Sequence, residues 1–222
     1  MTPLRRRIAI DSRYLLLSFP TALVSFPLVV GGVSAGLGAA VAFVGLPVLA
    51  ATAALARNVA DVERASLPAV LGYPVARPRY REAPSWAGWF RRTMTPLTSG
   101  QAVMDLLHAI VSFPISVAAF VVAAVWWTGT LAGLTFPLYG WIIAAIPGAM
   151  EGSVLWLLGL GGDPALFVVC HTVLGLLFAI TLAPVLRGTA LVKASLSELM
   201  LTRRDLSRPG AVTPIVDPRI TA

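Results

Sequence analysis

Two histidines, His108 and His171, one cysteine, Cys170, and three acids, Asp105, Glu151 and Asp163, are the groups with reactive or ligand chemistry in a stretch of 94 residues, 93 to 186, that holds no Lys or Arg. Histidines in an apolar chain raise haem or metal binding, and acids there raise proton or ion coupling near a bilayer midplane. Both ideas meet a depth problem. The helices laid out below put His108 in the cytoplasmic third of one and His171 in the outer third of another, more than ~10 Å apart at a ~1.5 Å rise per residue, whereas a shared ion needs ligands at ~2 Å. Each histidine is therefore expected to be packed or hydrogen-bonded. Neither metal nor cofactor is expected. The three acids map to helix ends or to an external segment, which disfavours a pump. Gly-x-Ser-x-Gly, His-Glu-x-x-His and phosphate-binding glycine loops do not occur in the sequence, so the expectation is a non-enzyme. Cys170 has no second cysteine for an intrachain disulfide and reads as a small packed residue.

The elements that must carry these residues are membrane helices. Hydrophobic residues make up 57% of the chain and charged residues 12%, and the mean hydropathy is +0.83, far from a soluble domain. Arg13 and Arg57 bracket 43 residues without a charge. One helix of that length would be ~64 Å long against ~30 Å of hydrocarbon, so the run is read as two helices. All 17 basic residues fall in 5 to 13, 57 to 92 and 187 to 219. The positive-inside rule puts these three stretches together in the cytoplasm, so each apolar run crosses an even number of times.

The expected fold is an all-α, multi-pass cell-membrane protein with four transmembrane helices in two tandem hairpins and both termini cytoplasmic. Hairpin 1 covers about 14–57, with a turn near Gly36-Leu37-Gly38. A cytoplasmic amphipathic loop covers 58–101. Hairpin 2 covers about 102–186, with helices at 102–127 and 165–186 around an external interfacial insert at 128–163; two further crossings there are the rival reading. A juxtamembrane helix at 187–201 completes a single membrane domain, 1–201, followed by a disordered tail, 202–222. The apolar run after Arg5 to Arg7 exceeds a signal peptide's core and reads as an uncleaved anchor.

An internal repeat accompanies this layout. Val-Ser-Phe-Pro occurs at 24–27 and 111–114, and "RASL" at 64–67 answers "KASL" at 193–196. The offsets, 87 and 129, differ by about the length of the insert, so the two hairpins read as copies with the same orientation. Pro20, Pro27 and Pro114 are expected to kink their helices. Pro27 and Pro114 free the carbonyls of Leu23 and Ile110, and Ser25 and Ser112 are available to relieve them. Gly32 and Gly36 form a Gly-x-x-x-Gly pair that either admits a neighbouring helix or belongs to the turn.

Two segments are candidate interaction sites. In the basic loop, Trp86, Trp89 and Phe90 lie at i, i+3 and i+4 ahead of Arg91 and Arg92, an interfacial-helix pattern that favours anionic lipid headgroups over nucleic acid in a loop tethered at both ends. Trp126 and Trp127 suit an interface belt. In the insert, Tyr139, Trp141 and Trp156 offer aromatic surface and Glu151 and Asp163 offer charge, which makes them candidate residues for an apolar or cationic ligand.

The stretches "YLLLSFPTALVSFPLVVGGVSAGLG", "VGLPVLAATAALARNVADVER", "LLHAIVSFP" and "LAPVLRGTALV", with the Trp-containing basic loop, resemble the putative sensor domain of actinobacterial two-component histidine kinases, which also occurs as stand-alone proteins. The resemblance covers about residues 10 to 200. It implies a membrane input module for signal transduction. Only 35 residues follow Arg187, too few for a dimerisation helix pair and an ATP-binding domain, so no kinase is expected here. The expected function is a sensor or regulatory subunit that passes an envelope or lipid signal to a protein partner or homo-oligomer. The alternative is a structural or accessory subunit, or a lipid-binding scaffold, of a larger complex.

Overall fold

The computed structural model describes residues 4–39, 44–75, 88, 100–151, 153–157, 159 and 161–202. Among them there are helices and no strand: α1 (Leu4–Gly38), α2 (Gly45–Leu71), α3 (Gly100–Ala144), the single turn α4 (Val154–Leu157) and α5 (Pro164–Leu201). α1, α3 and α5 are long and apolar enough to cross a membrane.

Local chemistry sets the ends. α5 starts at Pro164, whose missing N–H costs nothing in a first turn, and the Asp163 carboxylate accepts from Ala165 N at 2.8 Å. α2 stops where Gly72 takes a left-handed φ of 85° and donates to Pro68 O. α1 runs on to Gly38, so the turn falls after Gly36 instead of on it. The reason is packing: a Cβ on Gly36 would lie 2.5 Å from Leu49 and one on Gly32 would lie 2.2 Å from Thr52. The Gly-x-x-x-Gly pair is thus a helix contact.

The largest departure from expectation is α3, which does not end at Trp127. It has 45 residues, and the part assigned to an interfacial insert, 128–144, continues the helix and packs on α5. Gly133 and Gly175 make this possible, since a Cβ on Gly133 would sit 2.3 Å from the Gly175 Cα. Trp126 and Trp127 do not need a headgroup layer to satisfy their N–H groups. Trp126 donates to Thr181 Oγ1 at 3.1 Å and Trp127 to Ser12 Oγ at 3.0 Å.

Helix directions follow from matched contacts. Phe19 stacks on Phe120 and Phe26 on Phe113, each pair with centroids 4.4 Å apart. Ascending α1 therefore means descending α3, and the two helices are antiparallel. The two Val-Ser-Phe-Pro segments lie against each other through Phe26 and Phe113. The same orientation expected for these two helices is therefore not what α1 and α3 show. α3 and α5 are also antiparallel, with Phe136 on His171 at one end and His108 beside Ser197 at the other.

Pro20 and Pro27 lie within α1, and Pro114 and Pro137 within α3. Ser25 and Ser112 donate to Ala22 O at 3.4 Å and Ala109 O at 3.5 Å, one residue before the carbonyls the prolines free. In a Cys170→Ala background, cysteine pairs at Phe26 with Phe113 and at Phe19 with Phe120 should form disulfides on mild oxidation, while Phe19 with Phe113 should not. Efficient cross-linking of the mismatched pair would refute the antiparallel arrangement.

Candidate functional site

The charges that the helices bury do not lie where the sequence placed the chemistry. Three acid–base pairs each join two different helices. Asp11 of α1 pairs with Arg187 of α5 at 3.2 Å. Glu63 of α2 pairs with Lys193 of α5. Asp105 of α3 pairs with Arg64 of α2 at 2.6 Å, with side chains 0% and 5% exposed respectively. Arg64 also meets the half-exposed Asp61 one turn earlier at 2.7 Å.

The uncharged partners complete the layer. Glu63 Oε1 accepts from the Tyr14 hydroxyl at 2.6 Å and from Ser197 Oγ at 3.2 Å, and Lys193 also donates to Tyr14 at 3.1 Å. His108 Nε2 lies 3.3 Å from Ser197 Oγ. The single Ser197 proton points to Glu63, which only accepts, so the hydrogen between Ser197 and His108 sits on His108 Nε2. Among the described residues, His108 Nδ1 is buried without a hydrogen-bond partner. Two helix ends are tied in as well. Arg187 donates to Val70 O in the last turn of α2 at 2.7 Å, and Arg64 and Gln101 donate to Leu201 O at 3.3 and 3.5 Å. Such terminal carbonyls lack an intrahelical partner and carry the negative end of the helix dipole.

Burial pushes the Glu63 carboxyl up, but the Lys193 charge and the hydrogen bonds from Lys193 and Tyr14 outweigh it and hold the group below its usual 4.5. The arrangement can therefore hold charge at low solvent exposure. It also couples α1, α2, α3 and α5, because moving any one of them leaves a buried charge unpaired.

His108 and Asp105 were visible in the sequence, His108 as a packed or hydrogen-bonded residue and Asp105 as an acid near a helix end, but not as members of one charged layer. Here they stand one turn apart on α3 and face α2 and α5. The signal that could have found this layer is the alignment of "RASL" with "KASL", which made Arg64 and Lys193 equivalent. A basic residue repeated inside a helix needs an acid from elsewhere. His171 Nδ1 donates to Phe167 O at 2.9 Å and the ring stacks on Phe136, and Cys170 is half-buried beside the same cluster.

The five residues proposed for ligand binding lie on the second half of α3, the segment after it and the start of α5. The Tyr139 hydroxyl donates to Ala132 O at 3.2 Å and its ring meets Phe136 edge-on. Trp141 and Trp156 are exposed, Glu151 is exposed in the turn after α3, and Asp163 caps α5. Among the described residues, no hydrogen bond, ion pair or ring contact joins any two of them. Trp86, Trp89, Phe90, Arg91 and Arg92 lie outside the described residues.

Long apolar helices tied by buried ion pairs define an α-helical membrane protein. Comparison with known proteins makes this specific: the chain belongs to the Sensor family, described as putative sensor, whose pattern matches residues 14–201. No curated protein and no solved structure matches it. The match includes every ion pair of the layer except the Asp11 side of one.

Asp105→Asn should destabilise the protein by up to ~3 kcal/mol, because it leaves the buried Arg64 guanidinium with the half-exposed Asp61 in place of its fully buried counter-charge, whereas Asp105→Leu with Arg64→Met together should cost far less. Thermal unfolding in detergent measures both. The contribution of Glu63 to stability is fully present above its ordinary 4.5 and is lost as pH falls below it. Glu63→Gln should therefore flatten the acid side of a stability–pH profile.

Proposed function

We propose that this chain is a non-enzymatic membrane input module in which a change in the envelope or in lipid packing shifts α5 against α1 and α2, and α5 hands that shift to a protein partner or a second copy of the chain. One observation carries the reading. α5 is a single helix of 38 residues whose first part, 164–186, is uncharged and packs on α3, and whose last part, 187–201, holds Arg187, Lys193 and Ser197 in the buried layer. Displacement felt in the apolar part is carried along one continuous helix, past Pro184, to a layer where ion pairs switch discretely instead of deforming smoothly. In this reading the basic residues near 5–13 and in the loop after α2 face the cytoplasm and anionic headgroups.

The reading is tested by isolating the protein in mild detergent, identifying what co-purifies, and following that partner's output under envelope stress. Lys193→Met in a chain that still folds and still holds the partner should change the output or lock it in one state. An unchanged response to stress would contradict the transmission role of α5.

A further inference from the structure

Beside the Tyr14–Glu63 contact, α1 and α2 line a groove of about 430 Å³. Leu17, Thr21, Val62 and Ala69 give it apolar walls, while Tyr14 and Glu63 form its floor. Arg13 lines the groove, is exposed, and makes no ion pair among the described residues. Ile10, Arg13, Tyr14, Leu17 and Thr21 form one stripe of α1, and helical spacing continues it to the exposed Arg6, four residues before Ile10. Arg13 is also the last charge before the 43-residue uncharged run. The groove thus begins at the depth where apolar sequence gives way to basic sequence, and follows α1 into the apolar part for about 12 Å, eight residues at ~1.5 Å each.

We propose that this groove is a binding site for an anionic phospholipid, with the headgroup on Arg13 and Arg6 and one acyl chain between α1 and α2. A guanidinium without an ion pair among the described residues, at the mouth of an apolar channel, selects negative charge and a chain together; a soluble anion would gain nothing from the walls, and a zwitterionic lipid, whose cation offsets its phosphate, gains less from the arginines. The floor gives the site a consequence. Tyr14 and Glu63 line the groove and, on their other side, hold Lys193 and Ser197 of α5. An acyl chain that braces α1 against α2 fixes the two residues on which α5 docks. This deepens the input-module reading by naming the class of molecule sensed, and rests on that reading for its consequence but not for the binding itself.

The test uses the full chain in a neutral detergent, titrated with phosphatidylglycerol or phosphatidylcholine and read by native mass spectrometry and by thermal shift. Phosphatidylglycerol should bind and raise the melting temperature, and phosphatidylcholine of the same chains should bind more weakly. Arg13→Gln should weaken phosphatidylglycerol binding about fivefold, the worth of one basic residue at an anionic headgroup, with little effect on phosphatidylcholine. Ala69→Trp, which fills the groove from an exposed position, should abolish the selective component while the protein still unfolds cooperatively. Equal binding of the two lipids, unchanged affinity in Arg13→Gln, or unaltered binding in Ala69→Trp would overturn the site. So would cross-linking of a photoreactive group at Ala69 to residues 76–99 in place of lipid, because that loop would then fill the groove. If binding behaves as expected but Arg13→Gln leaves the partner's output unchanged, the site stands and the sensing role fails.

Discussion

Burying a charge in an apolar chain is costly, and in this protein each buried charge is answered from a different helix. Asp11 reaches α5, Glu63 reaches α5 and Asp105 is reached from α2. Taking one ion out of water costs several kcal/mol, so a helix cannot slide or rotate away from its counter-charge without exposing that penalty. Hydrophobic contact alone would not impose this in a bilayer, where lipid tails are as apolar as Leu or Val and packing is left to small residues and polar pairs. The alanines that line the same interfaces, Ala56, Ala109, Ala119, Ala123, Ala190 and Ala194, are buried to 3% exposure or less, which brings the backbones close enough for the ion pairs to close.

The layer also divides the molecule. On one side of it, α1 from about residue 14 to Gly38 packs against the first half of α3. On the other, α3 from about Trp126 to Ala144 packs against the first half of α5 with Gly133 on Gly175. At 45 residues α3 is ~68 Å long, more than twice the ~30 Å of hydrocarbon, so one steep crossing takes in less than half of it. An apolar section lies on each side of a charged one. A perturbation of the apolar α3–α5 arm and occupation of the α1–α2 groove reach the same residues, Lys193 and Ser197, from opposite directions.

The sequence carried much of this plainly. Composition and the length of the uncharged runs indicate membrane helices, Asp163-Pro164 marks the start of α5, and Gly32 with Gly36 marks a close contact. It carried other parts misleadingly. Trp126-Trp127 resembles the end of a membrane helix, but the two indoles donate to Thr181 and Ser12 and α3 continues to Ala144. The relative direction of α1 and α3 is invisible in the sequence, since Val-Ser-Phe-Pro reads the same whether its helix runs with or against the other. The ion pairs are invisible for a related reason: Glu63 and Lys193 are 130 positions apart, and no local pattern links them. What was legible was each charge's awkward place inside a helix, which demanded a partner without naming it.

The most direct measurement of the central claim is a double-mutant cycle on Glu63 and Lys193, with Glu63→Gln, Lys193→Met and the double variant unfolded under identical detergent conditions. A shared buried interaction predicts that the double variant loses much less stability than the sum of the two single ones, with a coupling of at least ~2 kcal/mol. Losses that add to within ~0.5 kcal/mol would show that the two residues do not act as a pair, and the layer would no longer account for how the helices are held together.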